Sequence, residues 1–335
     1  MSDSDKTSFS ILGAGSWGTA LAILLARNGH DVYLWGHNTP HIETLQQQKE
    51  NRQHLPGISF PENLHPVSDV SDCVERASNC LIAVPSHAFR HVLEQIISTL
   101  KNKPVIWATK GIEPDSKKLI HEIVEEKLGN QHIMAVISGP TFAQEVAQGL
   151  PTALTVASNN PAFAEQLAGW LHGESMRAYT SDDIIGVEIG GAIKNVLAIA
   201  AGIADGLGFG ANTRSALITR GLHEIMMLGI ALGGKKETFM GLAGLGDLVL
   251  TCTDNQSRNR RLGLALAQGK TMQQALDEIK QTVEGIQTTE EALGLAQKYN
   301  IEMPITQQVS NVLNNKITAR DAVHLLLGRE QKSEA

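Results

Sequence analysis

One segment, residues 184–204 with the sequence IIGVEIGGAIKNVLAIAAGIA, constrains the fold more than any other part of the chain. Its glycines and alanines let neighbouring backbone approach closely, and it has almost no polar face, so it is predicted to form a central buried helix. The segment is long enough to cross a bilayer. However, Glu188, Lys194 and Asn195 near its middle would each cost about 2.5 to 3.5 kcal/mol there, so a membrane span is excluded.

Lys194 is the only cation of this segment. A lysine in an apolar helix is either paired with a carboxylate or has its pKa lowered by desolvation and nearby cations. The second setting is the one in which lysines act as acid/base groups or amine nucleophiles. On the helix alone, Lys194 is therefore either part of a buried structural ion pair or a functional group.

The length of the chain indicates its number of domains, and its net charge limits the ligands that it can bind. At 335 residues the chain exceeds what one hydrophobic core usually supports, so two domains are expected. The net charge of −7 offers no broad basic surface for nucleic acid or anionic lipid. An anionic ligand must therefore be held by local cations and backbone N–H groups.

The cysteines and the N-terminus predict a cytoplasmic protein without a metal centre. Cys73, Cys80 and Cys252 are widely spaced, and the sequence has no CxxC motif or Cys/His cluster. Neither a disulfide framework nor a zinc site is therefore predicted. The polar start of the chain, MSDSDKTSFS, lacks the apolar core of a secretory signal.

A glycine turn follows the first predicted strand, which ends with residues 10–12. Gly13, Gly15 and Gly18 form the pattern GAGSWG ahead of the helical stretch TALAILLARNGH, and residues 31–35 are the next predicted strand. In this strand, turn, helix and strand order the glycines suit a tight turn, close approach to a pyrophosphate and helix packing. The pattern predicts a dinucleotide site; the alternative is a turn used only for packing.

His37 bears on the choice of dinucleotide. The second strand runs into LWGHN, whereas an NAD-binding chain usually has an Asp or Glu there to hold the ribose 2′-hydroxyl. Without that negative charge a 2′-phosphate is not repelled, and His37 can donate a hydrogen bond to it. NADP(H) is therefore the preferred cofactor, with NAD(H) possible; the alternative is that His37 is only an exposed loop residue.

Further apolar runs of strand length predict a larger, mostly buried sheet. They are residues 79–84, 104–109, 132–137, 152–157 and 176–180. Lys110 follows the second of these runs, and SGPT, with Gly139 and Thr141, follows the third, at the edge where ligands of open α/β sheets bind. A lysine after a strand is nevertheless more often solvated than functional.

The pattern becomes helical after Ser181 and stays so to the end of the chain. The predicted fold class is therefore an α/β Rossmann-type N-terminal domain plus an all-α C-terminal domain. We expect residues 1–181 to form the dinucleotide-binding domain and residues 182–335 to form a helical substrate-binding domain.

Three polar motifs interrupt the helical half. GLAGLGDL surrounds Asp247 with glycines, so this carboxylate is expected to pair with Lys194, hold substrate hydroxyls or cap a turn. TDNQSRNRR, residues 253–261, places polar caps and three arginines at a predicted helix start, which indicates an anion site the size of a phosphate. TVEG, residues 282–285, is a predicted turn that carries Glu284.

Together these motifs resemble those of the bacterial NAD(P)-dependent glycerol-3-phosphate dehydrogenase family, in the family's order and over residues 10–328. The matching strings are GAGSWGTALA, IAVPSH, ATKGI, SGPTFAQEV, EIGGAIKNVLAIAAGIADGL, NTRSALITRG, GLAGLGDLVLTCT, SRNRRLG and VEG. The resemblance implies reversible hydride transfer between NAD(P)H and the C2 carbonyl of dihydroxyacetone phosphate. The product would be sn-glycerol 3-phosphate, the backbone for phospholipid synthesis.

The resemblance also implies roles for individual residues, with Lys194 as the proton donor and acceptor. The family often has arginine at the position of His37 and serine at that of Thr141. The implied cofactor contacts are Ser16, Trp17, His37, Lys110, Ala143, Arg258 and Glu284. The glycines of the turn, Gly13, Gly15 and Gly18, and Thr282 are also predicted to bind the cofactor. The implied substrate contacts are Lys110, Gly139, Thr141, Lys194, Asp247, Ser257, Arg258 and Asn259.

The chemistry suits these residues, and two alternatives are weighed against it. A hydride delivered to a ketone carbon leaves an alkoxide that must be protonated, which an ammonium at Lys194 can do. A 3-hydroxyacid or phosphogluconate-type dehydrogenase would need a further anchor for a substrate carboxylate. A redox-sensing NADP(H)-binding protein would need no proton donor. The expected partners are a small-molecule substrate and a second copy of the chain, with no nucleic acid and no membrane.

Overall fold

The structure, a computed structural model, describes residues 6–330. It divides into two compact units, Met1–Glu188 and Ile189–Ala335. The first unit is built on a sheet with helices, and the second is helical. The predicted fold class, an α/β domain followed by an all-α domain, is confirmed. The division between the units falls within one long helix, Ile184–Gly206.

The first unit contains an eight-stranded sheet in the order β3-β2-β1-β4-β5-β6-β7-β8. The strands are β1 Ser8–Leu12, β2 Asp31–Trp35, β3 Leu64–Val67, β4 Asn79–Ile82, β5 Val105–Trp107, β6 Met134–Ser138, β7 Thr152–Ser158 and β8 Met176–Ser181. All neighbouring strands are parallel except β6 and β7, which are antiparallel. The strand order reverses between β1 and β4, and ligands of open α/β sheets bind beyond the carboxyl ends at such a point.

Seven helices connect these strands in the part of the first unit that the structure describes, from residue 6 onward. They are α1 Ser16–Arg27, α2 Thr39–Gln48, α3 Val70–Glu75, α4 Ser86–Leu100, α5 Ile120–Leu128, α6 Ala143–Gln148 and α7 Pro161–Leu171. The observed β4 and β5 end before their predicted ends. The N–H groups of Ala83 and Ala108 still donate to the carbonyls of Leu12 and Ile82, at 2.8 and 2.9 Å. The residues after them form the loops that lead to Ser86, at the start of α4, and to Lys110, at the carboxyl edge of the sheet.

In the rest of the described chain, up to residue 330, nine helices follow, and all but the start of the first lie in the second unit. They are α8 Ile184–Gly206, α9 Ala211–Ala231, α10 Lys236–Phe239, α11 Asp247–Thr253, α12 Arg258–Ala267, α13 Met272–Ile279, α14 Glu284–Lys298, α15 Pro304–Leu313 and α16 Ala319–Leu327. A π-helical turn, Leu242–Gly246, leads directly into α11. Within residues 6–330, α8 alone is long and apolar enough to cross a membrane, and 89% of its most apolar stretch is buried. It is the predicted central helix of the core.

Two glycines of α8 let other segments of the second unit approach its backbone. A Cβ atom on Gly190 would lie 2.5 Å from the carbonyl oxygen of Ala243, and one on Gly202 would lie 2.1 Å from that of Arg260. Both distances are shorter than any side chain tolerates, so only glycine fits. The small residues of the segment therefore bring the π-helical turn and α12 onto α8.

The sequence also predicts two helix caps, and their outcomes differ. Thr318 and Asp321 are expected to cap the last helix, and they form a capping box there. Asn212 or Thr213 is expected to cap the helix after the glycine loop, which is wrong. That helix begins at Ala211 after Gly210, so both residues lie inside its first turn.

A buried ion pair attaches the start of α8 to α5 in the first unit. The Nδ1 atom of His121 lies 2.5 Å from Glu188 Oε2, and the backbone N–H of His121 donates to Glu188 Oε1 at 3.0 Å. Burial by itself opposes protonation of the imidazole, but the charge and hydrogen bond of Glu188 outweigh it. The pKa of His121 is therefore raised above 6.5.

This pair is expected to make stability depend on pH. A raised folded-state pKa contributes stability that is fully present below the unfolded value of 6.5 and is lost as the pH rises through the folded value. His121→Asn keeps an amide donor near Nδ1 but cannot titrate. Urea unfolding should therefore give a higher free energy of unfolding for the wild type than for His121→Asn at about pH 6. The difference between the two proteins should shrink at about pH 9.

A matched control is His132→Asn in the same unit. Burial lowers the pKa of His132. The stability that neutral His132 contributes is therefore lost as the pH falls below 6.5. The free energy of unfolding of His132→Asn should depend on pH differently from that of the wild type only below that pH. An advantage of the wild type over His121→Asn that stays constant with pH would contradict the prediction.

Candidate active site

The glycine turn lies at the carboxyl end of β1, between the ends of β2 and β4. The backbone N–H of Gly13 donates to the carbonyl of Trp35 at 2.8 Å. Gly13 has φ +130°, and a Cβ atom there would lie 2.6 Å from the carbonyl oxygen of Ala83. Gly18 is just as constrained, because its Cβ would lie 1.9 Å from the carbonyl oxygen of Gly13. Packing within the chain therefore accounts for these two glycines.

Gly15 is different, and its surroundings fit a bound dinucleotide. It has φ −77° and ψ −176°, a conformation open to any residue, and a Cβ atom on it would meet nothing within 4 Å. It precedes the first turn of α1, where no side chain caps the backbone N–H groups. Open space before uncapped N–H donors is where a pyrophosphate binds.

The contrast between Gly15 and Gly18 leads to a testable expectation. Gly15→Val should leave the thermal unfolding temperature unchanged, because the added side chain meets only open space. It should weaken NADPH binding about 10- to 100-fold, because the side chain occupies the space needed by the pyrophosphate. Titration of the protein fluorescence with NADPH measures the affinity.

Gly18→Ala is the comparison variant. Its Cβ meets backbone that cannot yield, so it should lower the free energy of unfolding by about 1 to 3 kcal/mol. Full NADPH affinity in Gly15→Val would refute a dinucleotide site at this turn.

Other residues of the predicted cofactor site surround the turn. The hydroxyl of Ser16 donates to the carbonyl of His54 at 2.7 Å. The indole Nε1 of Trp17 is buried and has no acceptor among residues 6–330. His37 is exposed beyond β2. His41, which the sequence did not single out, interacts electrostatically with His37, its ring lies 5.3 Å from that of His54, and burial lowers its pKa.

Lys110, Gly139 and Thr141 come together beyond β5 and β6. Both the Lys110 ammonium, at 3.4 Å, and the Thr141 hydroxyl, at 3.1 Å, donate to the carbonyl of Gly139. Ala143 begins α6 two residues later. The sheet therefore gathers four of the predicted contacts at the carboxyl edge of two adjacent strands.

In the second unit Lys194 forms a buried ion pair. Its ammonium donates to Asp247 Oδ1 and, at 3.0 Å, to the hydroxyl of Thr251. The side-chain exposures are 9% for Lys194 and 1% for Asp247. Of the three options for Asp247, the structure therefore shows pairing with Lys194. Gly190 lies one helical turn before Lys194, so the close approach of the π-helical turn at Gly190 delivers Asp247 to the lysine.

Thr251 completes this cluster and was missed by the sequence reasoning. Its hydroxyl lies 2.6 Å from the carbonyl of Asp247, to which it donates, and its oxygen accepts from Lys194. The signal was available, since Thr251 follows Asp247 by four residues on the same helix and thus faces the same way. A carboxylate and a hydroxyl therefore orient one ammonium.

The starts of α12 and α14 meet α8 beside this cluster. Ser257 caps α12 by accepting from the N–H of Arg260 at 3.2 Å. Asn259 Oδ1 accepts from the N–H of Gly285 at 2.9 Å, and Asn195, next to Lys194, donates to Glu284 at 3.4 Å. Predicted cofactor and substrate residues of the second unit are therefore neighbours. Asn195 joins them, although the sequence predicted no contact role for it. Thr282, by contrast, is exposed.

The three arginines of α12 do not act as one group, which corrects the expectation that they converge. Arg260 is buried and donates to Asp205 at 2.5 Å and to Asn255 at 3.1 Å, so structural contacts occupy it. Arg258 is half-buried, and no carboxylate in residues 6–330 pairs with it. Arg261 is also half-buried, and its Nε has no partner in that range. Arg258, next to Ser257 and Asn259, is thus available for an anion, whereas Arg260 is not.

A sheet domain with a glycine turn that fits a dinucleotide and a helical domain with a buried, oriented lysine define the class of NAD(P)-dependent oxidoreductases. Residues 8–164 match the family model for the N-terminus of NAD-dependent glycerol-3-phosphate dehydrogenase, and residues 183–324 match the model for its C-terminus. The chain belongs to this family, as the sequence motifs predicted.

Known relatives resemble the chain over nearly its full length. The chain is 54% identical over 326 residues to glycerol-3-phosphate dehydrogenase (NAD(P)+) of Pseudoalteromonas translucida, covering 97% of each chain. It is 53% identical over 331 residues to the enzyme of that name from Shigella boydii serotype 18, covering 98% of each. The crystal structure of glycerol-3-phosphate dehydrogenase from Coxiella burnetii superposes with a TM-score of 0.94 at 49% identity, over 97% of this chain and 100% of that one.

Proposed function

We propose that the chain catalyses the reversible NAD(P)H-dependent reduction of dihydroxyacetone phosphate to sn-glycerol 3-phosphate, which supplies the phospholipid backbone. The observation that carries the proposal is the buried Lys194 ammonium, held by Asp247 and Thr251 and next to polar residues at the start of α12. We assign dinucleotide binding to residues 1–181 and substrate binding to residues 182–335. The relatives' names support both the reaction and the cofactor.

In the first unit the cofactor binds at Gly15 and at the N–H groups at the start of α1, on the tight turn that Gly13 and Gly18 make possible. When bound, the reduced nicotinamide supplies a hydride to C2 of the substrate. Further contacts come from Ser16, Trp17, His37, Lys110, Ala143, Arg258, Thr282 and Glu284. No acidic residue stands where His37 is, so NADP(H) is preferred and NAD(H) is accepted.

Lys194 stabilises the C2 oxygen as negative charge develops on it and then donates a proton to it. Asp247 holds the ammonium in position through its ion pair, and Thr251 restricts its rotation with a second hydrogen bond. In the reverse direction the amine of Lys194 accepts the proton of the C2 hydroxyl. This cycle needs no metal ion from the protein.

The phosphate of the substrate binds at the start of α12. Ser257, Arg258 and Asn259 supply a helix N-terminus, a guanidinium and an amide, the groups that hold phosphate in proteins. Lys110, Gly139 and Thr141 complete the substrate contacts. Binding energy from the phosphate, which does not react, positions the carbonyl for reaction.

The test is the loss of absorbance of the reduced nicotinamide with purified protein and dihydroxyacetone phosphate, with NADPH and NADH in turn. Rapid oxidation of NADPH is the expected result, with slower oxidation of NADH. Unphosphorylated dihydroxyacetone is the control substrate, and it should react poorly because it lacks the phosphate. Tight NADPH binding without turnover would reject the proposal in favour of a sensor.

The protein acts in the cytoplasm as a homodimer. Free, buried cysteines fit a reducing compartment, and burial raises the pKa of Cys80 and of Cys252 to about 12, which keeps their thiols unreactive. Support for the dimer comes from α9, which exposes 42% of Met227 and 44% of Ile230. Sedimentation should give a dimer for the wild type and a monomer for Met227→Glu; a monomeric wild type would rule the dimer out.

A further inference from the structure

An ion-pair cluster in the first unit surrounds the loop that follows Lys110. Its centre is Glu113, a buried carboxylate three residues beyond Lys110. Arg90 Nε donates to Glu113 Oε1 at 2.7 Å, and Arg90 Nη2 donates to Oε2 at 2.8 Å. Two parallel bonds between a guanidinium and a carboxylate fix relative position as well as adding energy.

The loop between β5 and α5 has an unusual backbone conformation that depends on Glu113. Gly111, Asp115 and Lys117 have φ values of +136°, +38° and +56°. Non-glycine residues persist at such angles only where their surroundings enforce them. The N–H of Glu113 donates to the carbonyl of Lys118 at 2.9 Å, and its carbonyl accepts from Lys117 at 3.1 Å. Glu113 is thus bonded to the loop through its backbone and through the Ser116 hydroxyl, which donates to Oε2, and its carboxylate also joins the loop to Arg90.

Arg90 is anchored on its other side as well. Its Nη1 donates to Glu126 Oε1 of α5 at 2.6 Å, and Lys118 Nζ donates to Glu126 Oε2 at 2.6 Å. Arg90 lies one turn into α4, the helix that follows β4. The guanidinium therefore links the segments that follow β4 and β5, at the edge of the sheet where Lys110 and Gly139 meet. Its hydrogen bonds also lower the pKa of Glu113, so the carboxylate stays ionised.

We propose that Arg90 and Glu113 are positioning residues for Lys110. The two parallel hydrogen bonds between Arg90 and Glu113, called the fork below, hold the loop backbone in place. This backbone determines where the long Lys110 side chain places its ammonium against the anionic substrate. The inference rests on the proposed function, in which Lys110 binds dihydroxyacetone phosphate. Arg90 and Glu113 themselves act only through the loop.

Kinetics of Arg90→Lys and Glu113→Gln with dihydroxyacetone phosphate and NADPH test the proposal. Lysine cannot form the fork and glutamine lacks the charge, so kcat/KM is expected to fall about 10- to 100-fold, as when a reacting geometry shifts by about 1 Å. Glu113→Asp keeps the charge on a shorter side chain, so its kcat/KM should fall less. This variant takes the place of Glu113→Gln if Glu113→Gln does not fold.

A double-mutant cycle separates positioning from a general structural role. In the Lys110→Ala background, Glu113→Gln should cause no further loss of kcat/KM, because Glu113 acts through Lys110. Equal losses in both backgrounds would overturn the inference, as would unchanged kinetics in Arg90→Lys and Glu113→Gln. A wild type that does not turn over dihydroxyacetone phosphate would instead reject the proposed function.

Arg76→Lys is the matched control. Arg76 also forms an arginine–carboxylate ion pair in the same unit, a single and more exposed bond from its Nε to Asp72 of α3 at 2.8 Å. No hydrogen bond or ion pair joins it to the loop after Lys110 within residues 6–330. Its kinetics should match those of the wild type, and a loss equal to that of Arg90→Lys would show that the effect is not specific to the fork.

Discussion

Lys194→Arg is expected to lower kcat for dihydroxyacetone phosphate by about 10²- to 10⁴-fold, the usual contribution of a positioned acid or base. Arginine keeps the positive charge beside Asp247, so the buried carboxylate stays paired. A guanidinium does not release its proton near neutral pH, so it cannot protonate the C2 oxygen. NADPH affinity should be unchanged. Stopped-flow or steady-state absorbance gives kcat, and fluorescence titration gives the affinity.

Two further variants make this result decisive. Lys298→Arg is the control for the chemical change, since Lys298 is exposed at the end of α14. Lys194→Met removes the charge entirely and should also destabilise the protein by about 3 to 5 kcal/mol, because it leaves Asp247 as an uncompensated buried charge. Unchanged kcat in a folded Lys194→Arg protein would exclude Lys194 as the proton donor.

Arg258→Met and Arg260→Met are expected to separate substrate binding from stability. Arg260→Met should lower the free energy of unfolding by about 3 kcal/mol, because it breaks a buried ion pair with Asp205. The loss should not be larger, since Arg214 still donates to Asp205 at 2.8 Å. Against a total stability of about 5 to 15 kcal/mol this is a large effect, and urea unfolding measures it.

Arg258→Met should weaken substrate binding and leave stability nearly unchanged, the reverse of Arg260→Met. Loss of a charged hydrogen bond to phosphate should raise KM for dihydroxyacetone phosphate about 10- to 100-fold. Stability should change by less than about 0.5 kcal/mol, as for other substitutions outside the core. At saturating NADPH, unphosphorylated dihydroxyacetone should react equally well with Arg258→Met and with the wild type. A higher KM in Arg260→Met than in Arg258→Met would reverse the assignment of the two arginines.

Much of the fold could be predicted because its signals are local. The glycine turn after β1, the apolar runs of the buried strands and the helical periodicity after Ser181 each depend on a few neighbouring residues. Strand β3 was missed because it is short and contains Pro66. A proline is tolerated there because β3 lies at the edge of the sheet. The antiparallel direction of β7 was also not predictable, since an apolar run does not encode which way its neighbour points.

The sequence by itself determined the fold class, the dinucleotide turn and the unusual placement of Lys194. Only the tertiary structure decided which carboxylate pairs with Lys194, which arginine remains available for an anion and which glycine faces open space. Asp247 meets Lys194 across 53 residues, and Arg260 rather than Arg258 reaches Asp205. The physical reason is that residue spacing defines the direction of a side chain along its own helix or strand. Its partner depends on how closely two backbones pack, and here contacts such as that at Gly190 set this distance.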